Sequence, residues 1–524
     1  MTERTLPAPP VPIAASPARL RPRLILTLVL TCQLMLILDA TVMNVALPKI
    51  QADLGFSPTS LSWVMNAYSL VFGGLLLLGG RAGDLLGRRR MFVLGAALFT
   101  VASLAGGLVD SATLLLVARV VQGIGAAAAG PSTLALIATT FTEPRERVRA
   151  LALFSAVASG GFAIGLILGG LLTEWLSWRA VLFINVPFGA AIVALVSKFV
   201  PEPERRQAHL DLPGAITGTI GIAALVYTFI RAATNGWGDT IVLVTLTAGL
   251  LLLAAFVSIE QRARQPLVPL RLFADRNRAA AYVNFFFGPM AMMSMFFFLT
   301  QFLQEIRHYA ALETGVAFLP MAVALFSVTR MIPKLLRRFG PKPLTIGGTA
   351  VMILGLAWLT RLSPDSEYLT SLFGPMLLMG LGGGLAFSPL NIIIMSTVRP
   401  EEAGAAGGVL QTMQQVGGTL GLAILVTVFG ASARHAGEAG ASPENVQVSG
   451  MTDAFVAATI VATLTFFVAL TFRTRQSFRP SLTRWLTRRS TRNETNGTHP
   501  ANSTRTVPLM DQRALRARSI ARTK

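Results

Sequence analysis

The sequence predicts an all-α polytopic membrane protein with fourteen transmembrane helices, on three observations. Charged residues make up 13% of the 524 residues and hydrophobic ones 53%, with mean hydropathy +0.60. A soluble domain carries roughly 25% charge. Apolar runs recur at about the 20-residue length that crosses a hydrocarbon core as a helix. They are non-alternating and about twice the ~10-residue segments of a membrane β-barrel. Finally, the basic residues between the runs gather in every second loop, on one side of the membrane.

The runs justify themselves in order. The first, 24–47, opens on the uncharged stretch Leu24–Leu38 and then carries Asp39. It is too long for a signal-peptide core and lacks a clear small-residue cleavage site, so it is expected to be retained as a helix. It also holds Cys32, the one cysteine, so neither an intramolecular disulfide nor a cysteine metal cluster can form. Run two (60–80) ends at a glycine- and arginine-rich loop. Runs three (91–109) and four (112–138) follow closely, and the fourth carries Arg119. Run five (149–172) is diluted by Gly and Ala, and run six (180–200) follows Trp178. Runs seven (211–231) and eight (239–259) lead to run nine (279–303). Runs ten to fourteen are 314–333, 344–361, 368–390, 404–430 and 451–472. Residues 1–23, rich in Pro, Ala and Arg, and the polar, basic 473–524 are expected to be disordered tails.

The loops orient the chain. With the N-terminus in the cytoplasm, the inside loops hold 21 Lys and Arg and the outside loops 6, before either tail is counted. That asymmetry predicts both termini inside and an even number of spans. The net charge of +20 therefore reads as topology, not as a nucleic-acid surface. The basic tail lies on anionic lipid or is simply solvated. Its three sequons (Asn493, Asn496 and Asn502) are read as polar filler. The four histidines lie in loops or the tail. No phosphate-binding loop, nucleophile elbow or metalloprotease motif occurs, so neither an enzyme activity nor a cofactor or metal site is expected.

Asp39 and Arg119 are the informative residues. A charge at bilayer depth is costly and marks a pathway or a relay. Desolvation of Asp39 favours its neutral acid, so it can load and release a proton, while Arg119 stays charged. The competing reading is a structural ion pair between helices one and four. Asn44, Asn66, Tyr68, Gln122, Gln301, Gln304, Asn391, Gln411 and Gln414 lie within or at the ends of spans. Each is interhelical glue or a cavity contact; Asn44, Asn66, Tyr68, Gln122, Gln411 and Gln414 are the candidate substrate-cavity residues. Gln411, Gln414 and Gln415 share one helix face. The Phe and Met cluster of run nine, Phe285–Phe298, suits an adaptable apolar pocket, but is read first as lipid-facing bulk. No acidic residue is expected deep in the second half.

The loop Gly80-Arg81-Ala82-Gly83-Asp84-Leu85-Leu86-Gly87-Arg88-Arg89-Arg90 resembles the G-x-x-x-D-x-x-G-R-[KR] loop of the major facilitator superfamily. Leu38-Asp39-Ala40-Thr41-Val42-Met43-Asn44-Val45-Ala46-Leu47-Pro48 resembles the first-helix signature of its fourteen-span drug:proton antiporters, the EmrB/QacA type. Arg119-Val120-Val121-Gln122-Gly123-Ile124-Gly125 is similar to the fourth-helix motif. Trp178-Arg179 with Phe183, Asn185, Pro187 and Gly189 resembles the sixth-helix start. Gln415-Val416-Gly417-Gly418-Thr419-Leu420-Gly421 is similar to the penultimate helix. The resemblance covers about 24–472. In the helix-five motif, Gly161, Gly165, Gly169 and Gly170 are kept, but Leu166 stands where proline is expected. The related loop of the second half, Pro333–Pro343, keeps Gly340 and has Arg337 in place of the acid.

The resemblance implies a major facilitator fold: six-helix bundles over 24–200 and 279–472, with two extra central helices in the linker 201–278. It implies Asp39 and Arg119 as proton-coupling residues, and Gly80, Gly83, Asp84, Gly87, Arg88 and Arg89 as a cytoplasmic gate. It implies a monomeric, multi-pass plasma-membrane exporter that exchanges protons for a small lipophilic drug or secondary metabolite, among membrane lipids and without nucleic acid. Uptake, or export of one dedicated natural product, is the rival within transport. A non-transporting sensor or scaffold using the basic tail is the rival outside it; deletion of 473–524 during transport assays separates the two.

Overall fold

In the computed structural model, residues 22–141, 143–200, 211–263, 266–398 and 403–472 are described, all within one compact unit. The two expected tails lie outside the described residues, apart from Pro22, Arg23 and the start of α1. The helices are α1 (Pro22–Leu54), α2 (Ser62–Leu86), α3 (Arg88–Leu108), α4 (Ala112–Thr140), α5 (Pro144–Trp175), α6 (Trp178–Phe183), α7 (Asn185–Phe199) and α8 (Leu212–Asn235). They continue as α9 (Thr240–Arg262), α10 (Arg276–Gln301), α11 (Ala311–Ala317), α12 (Leu319–Phe339), α13 (Pro341–Leu359), α14 (Phe373–Thr397), α15 (Ala403–Glu438) and α16 (Pro443–Leu470). Single π-helical turns extend α10 over Phe302–Ile306 and precede α14 over Tyr368–Leu372.

Among the described residues, 13 helical spans are long and apolar enough to cross a membrane. The fifth expected span falls on α5, whose apolar part is Gly160–Trp175. The helices outrun several expected spans: α1 continues to Leu54, and α16 begins at Pro443 rather than 451. Hydropathy marks where a helix leaves hydrocarbon, not where its hydrogen bonds end. Local chemistry sets the ends. Gly87, Gly236 and Gly340 break helices with φ of 110°, 79° and 78°, a region that favours glycine. Asp211, Asp239, Asp275 and Ser442 accept from the first free N–H groups of α8, α9, α10 and α16. The hydrogen bond from Arg231 holds the Asp239 carboxyl below the usual carboxylate range.

The first six spans pack as one group: α4 against α2 and α3, α1 against α5, and α7 against α3 and α1. The last six pack as another around α10, α14, α15 and α16. Two seams join the halves. At one, α2 meets α15, and Thr412 donates to the Gly73 carbonyl at 3.2 Å. At the other, α1 and α5 meet α10 and α11. The extra pair sits beside the first seam: α8 packs on both α15 and α2, and Thr427 donates to the Phe229 carbonyl at 2.5 Å. α9 packs mainly on α8 and buries only Val242, Gly249 and Glu260. Its bare apolar surface suits lipid, not water.

The lipid-facing reading of the α10 cluster is corrected. Phe285, Met290, Met295, Phe296, Phe297 and Phe298 are all buried. α10 packs on α1, α14, α15 and α16, so a helix apolar on every side is here a core helix.

Candidate functional site

α4 carries Arg119 into the first half by close approach. A Cβ on Gly123 would lie 2.8 Å from the Tyr68 carbonyl oxygen of α2, and one on Gly125 2.7 Å from the Phe99 nitrogen of α3. Only glycine lets α4 wedge between both.

Arg119 and Asp39 are both fully buried, and Nη1 donates to Asp39 Oδ2 at 2.6 Å. Further bonds tie the pair to its neighbours. Arg119 Nε donates to the Val64 carbonyl at 3.0 Å, and Nη1 also reaches Gln122 Oε1 at 2.9 Å. Gln122 Nε2 donates to Asp39 Oδ1 at 3.1 Å and to Ser103 Oγ at 2.7 Å. Asn185 Nδ2 donates to the same Asp39 Oδ1 at 3.0 Å. The guanidinium lies 4.5 Å from the centre of the Tyr68 ring, a cation–π contact that shares its charge. Five helices, α1, α2, α3, α4 and α7, contribute to one cluster, and α4 and α7 reach the carboxylate itself. Two atoms of the cluster, Arg119 Nη2 and Asn185 Oδ1, have no hydrogen-bond partner. A buried ion pair is weak evidence for stability and better evidence for a retained role; chemically, this one can hold either a charge pair or a neutral acid beside a fixed cation.

The other expected residues divide. Tyr68 and Gln122 join the cluster. Asn44 instead crosses the seam, donating to Thr300 Oγ1 at 2.8 Å on α10, and Asn66 is buried with Nδ2 unpartnered. Gln411 and Gln414 are exposed on α15, which packs on α2, α8, α10 and α16. Gln304, another of the expected polar residues, donates to the Val45 carbonyl at 2.9 Å, and beyond that set Glu174 accepts from the Leu312 N–H at 2.9 Å. With Asn44, these three contacts stitch the halves at one end of the spans.

The glycines of α5 lie where it closely approaches α1 and α11. Cβ atoms on Gly161, Gly165 and Gly169 would strike α1 at Leu34, Thr41 and Val42, and one on Gly170 would strike α11. Leu166, at the position of the expected proline, is buried against α11.

In the glycine- and arginine-rich turn, Arg88 pairs with Asp84 across Gly87. Arg89 Nη2 donates to the Ser197 carbonyl at the end of α7, at 2.6 Å. Gly80 lies against Pro131 and Gly83 near Ser132, both on α4.

Three features escaped the sequence reading. Asn185 and Ser103 touch the cluster, yet only spatial proximity shows it; Asn185 lay inside a quoted motif. Trp178 and Arg179 both donate to Asp53 Oδ2 at 2.8 Å, and Arg179 also reaches Asp110 at 2.6 Å, which pins α6 to α1 and the α3–α4 turn. Asp453 lies inside α16 and lines a cavity of about 1020 Å³ with Trp237 and His435.

A two-halved helical membrane bundle around a buried ionic cluster has the architecture of a transporter. The chain belongs to the Major Facilitator Superfamily, whose model matches residues 29–422. It is 44% identical over 425 residues to the puromycin resistance protein pur8 of Streptomyces alboniger, covering 80% of this chain and 84% of that one. It is 42% identical over 410 residues to the cephamycin export protein CmcT of Amycolatopsis lactamdurans, covering 77% and 84%. Among solved structures, a bacterial homologue of the human lysosomal transporter Spinster matches with a TM-score of 0.63 at 17% identity, over 88% of this chain and 100% of that one. That likeness shows the fold. The protein is a secondary transporter and not an enzyme.

Proposed function

We propose that this chain is a proton-coupled exporter of lipophilic drugs or secondary metabolites, working by alternating access in the plasma membrane as a monomer. The fully buried Asp39–Arg119 pair, held at 2.6 Å, carries this reading. An acid that exchanges its proton beside a fixed cation changes the charge of the cluster by one, and five helices feel the change. The relatives named for puromycin resistance and cephamycin export support the direction and the substrate class.

The bundles are 24–200 and 279–472, with 201–278 between them and both termini in the cytoplasm. In that orientation the Asn44–Thr300, Gln304–Val45 and Glu174–Leu312 contacts lie at the outer end and seal it. The Asp84–Arg88 turn, at the opposite end, is the cytoplasmic gate. Gly80, Gly83, Gly87 and Arg89 shape that gate. Gly161, Gly165, Gly169 and Gly170 let α5 slide on α1 and α11. Asn66, Gln411 and Gln414 are the remaining cavity contacts.

Dye transport into inverted membrane vesicles under an imposed pH gradient tests the proposal. Wild-type protein accumulates dye until an uncoupler is added, and Asp39→Asn does not. Uncoupler-sensitive accumulation by a folded Asp39→Asn protein rules out the coupling role. The relatives' names each cite one compound, which favours a second reading, export of one dedicated natural product; transport confined to a single compound in a panel selects it.

A further inference from the structure

The junction of α6 and α7 has a use that the transport scheme leaves open. Pro187 offers no N–H to the Phe183 carbonyl, so one hydrogen bond of the ladder is missing there, while the backbone of Ile184 stays helical. Asn185 follows as the first residue of α7. Gly189, one turn on, lets α7 press against Thr100 of α3, where a Cβ would collide. The outcome is a buried amide on the Asp39 carboxylate: Nδ2 donates to Oδ1 at 3.0 Å, and the amide's own oxygen has no partner.

That orphan is informative. With three donors on it, from Arg119, Gln122 and Asn185, Asp39 is served only as an anion. Protonation puts a hydrogen on Oδ1 or Oδ2, and a hydrogen facing a donor has nowhere to go. Of the three donors, Arg119 has no acceptor to offer, and the Gln122 oxygen is already engaged by Arg119. The Asn185 oxygen is the free acceptor.

We propose that Asn185 is the positioning residue that switches with the charge of Asp39. The proposal rests on the proton-coupling reading above. A hydronium ion gives its proton to Asp39 Oδ1: one of its O–H bonds breaks, the new O–H bond forms on the carboxylate, a water molecule is left, and no other covalent bond changes. The Asn185 amide rotates by half a turn, so Oδ1 accepts that hydrogen where Nδ2 had donated. Ser103, 3.5 Å from Nδ2, accepts in both bonds it makes here; its own hydrogen turns toward the amide oxygen. Proton release reverses each step. The switch is transmitted to α7 because Asn185 is its first residue, and α7 also holds the gate turn through Ser197 and Arg89.

Among the described residues, the ionisable side chain bonded to Asp39 is Arg119 on α4, and Tyr68 on α2 lies against that guanidinium; Asp39, Arg119 and Cys32 of α1 all act electrostatically on Tyr68. Among the described residues, α5, α6, α10 and α11 bring no ionisable side chain into hydrogen-bonding distance of it.

An infrared pH titration of the full-length protein in liposomes tests the switch. The carboxylic-acid band missing from Asp39→Asn belongs to Asp39. In Asn185→Leu the midpoint of that band moves up by about 1–2 pH units, because one charge-assisted donor to the anion is lost. An amide C=O band, absent from Asn185→Leu, shifts with the wild-type midpoint. Asn185→Ser, too short to reach Asp39, moves the midpoint in the same direction and serves if the leucine variant does not fold. A folded variant with the wild-type midpoint, or an acid band that titrates without the amide shift, overturns the proposal while leaving proton coupling intact. No Asp39 band at any pH the protein survives overturns the coupling itself.

Discussion

Replacing either member of the Asp39–Arg119 pair alone leaves the other buried without its counter-charge. Both side chains are fully buried, so water cannot compensate. Breaking a buried pair from one side costs about 3–5 kcal/mol. In Asp39→Asn the loss has a local form: the new NH2 group faces a donor from Arg119, Gln122 or Asn185, whichever way it turns. In Arg119→Met the ring contact with Tyr68 and the bond to the Val64 carbonyl go as well. The double variant removes the mismatch and keeps most of the volume, so it should cost far less than the sum. The expected coupling is about 3 kcal/mol or more, well above the ~0.5 kcal/mol within which independent sites add. Unfolding in mixed detergent micelles measures all four proteins. Additivity within that margin would refute the paired geometry, even if each single variant is unstable.

Asp84→Asn removes the ion pair with Arg88 but keeps the turn that Gly87 permits; turnover should fall several-fold while equilibrium substrate binding stays near wild type, and an unchanged turnover removes the gate role. Gly189→Ala places a Cβ into Thr100, whose hydroxyl is fixed by its 2.6 Å bond to the Ala96 carbonyl. Stability should drop by about 1–3 kcal/mol, the usual cost of overpacking, and Thr100→Ala in the same chain should return part of it. Equal melting of wild type and Gly189→Ala refutes the close α7–α3 approach.

The spans were legible because hydropathy is a local property. In hydrocarbon each segment must satisfy its own backbone, so length and apolarity announce a helix without reference to its neighbours. Asp39 and Arg119 stood out for the same reason: each is a lone charge in an apolar run. Helix ends were less legible, since α16 continues eight residues before its expected start, out of the hydrocarbon.

Who touches whom was decided only by tertiary structure. Asp39 and Arg119 lie 80 residues apart, and Asn185 lies 146 from Asp39; no periodicity encodes such distances. The sequence could not separate lipid-facing from core phenylalanines on α10, because in a membrane both surroundings are apolar and composition carries no sign of which side is protein. The sequence by itself determined that a charged pair sits within a bundle of membrane helices. Only the packing of α4 between α2 and α3, and the close approach of α7 that brings Asn185 to Asp39, decided that the pair would meet and that a third residue would share its carboxylate.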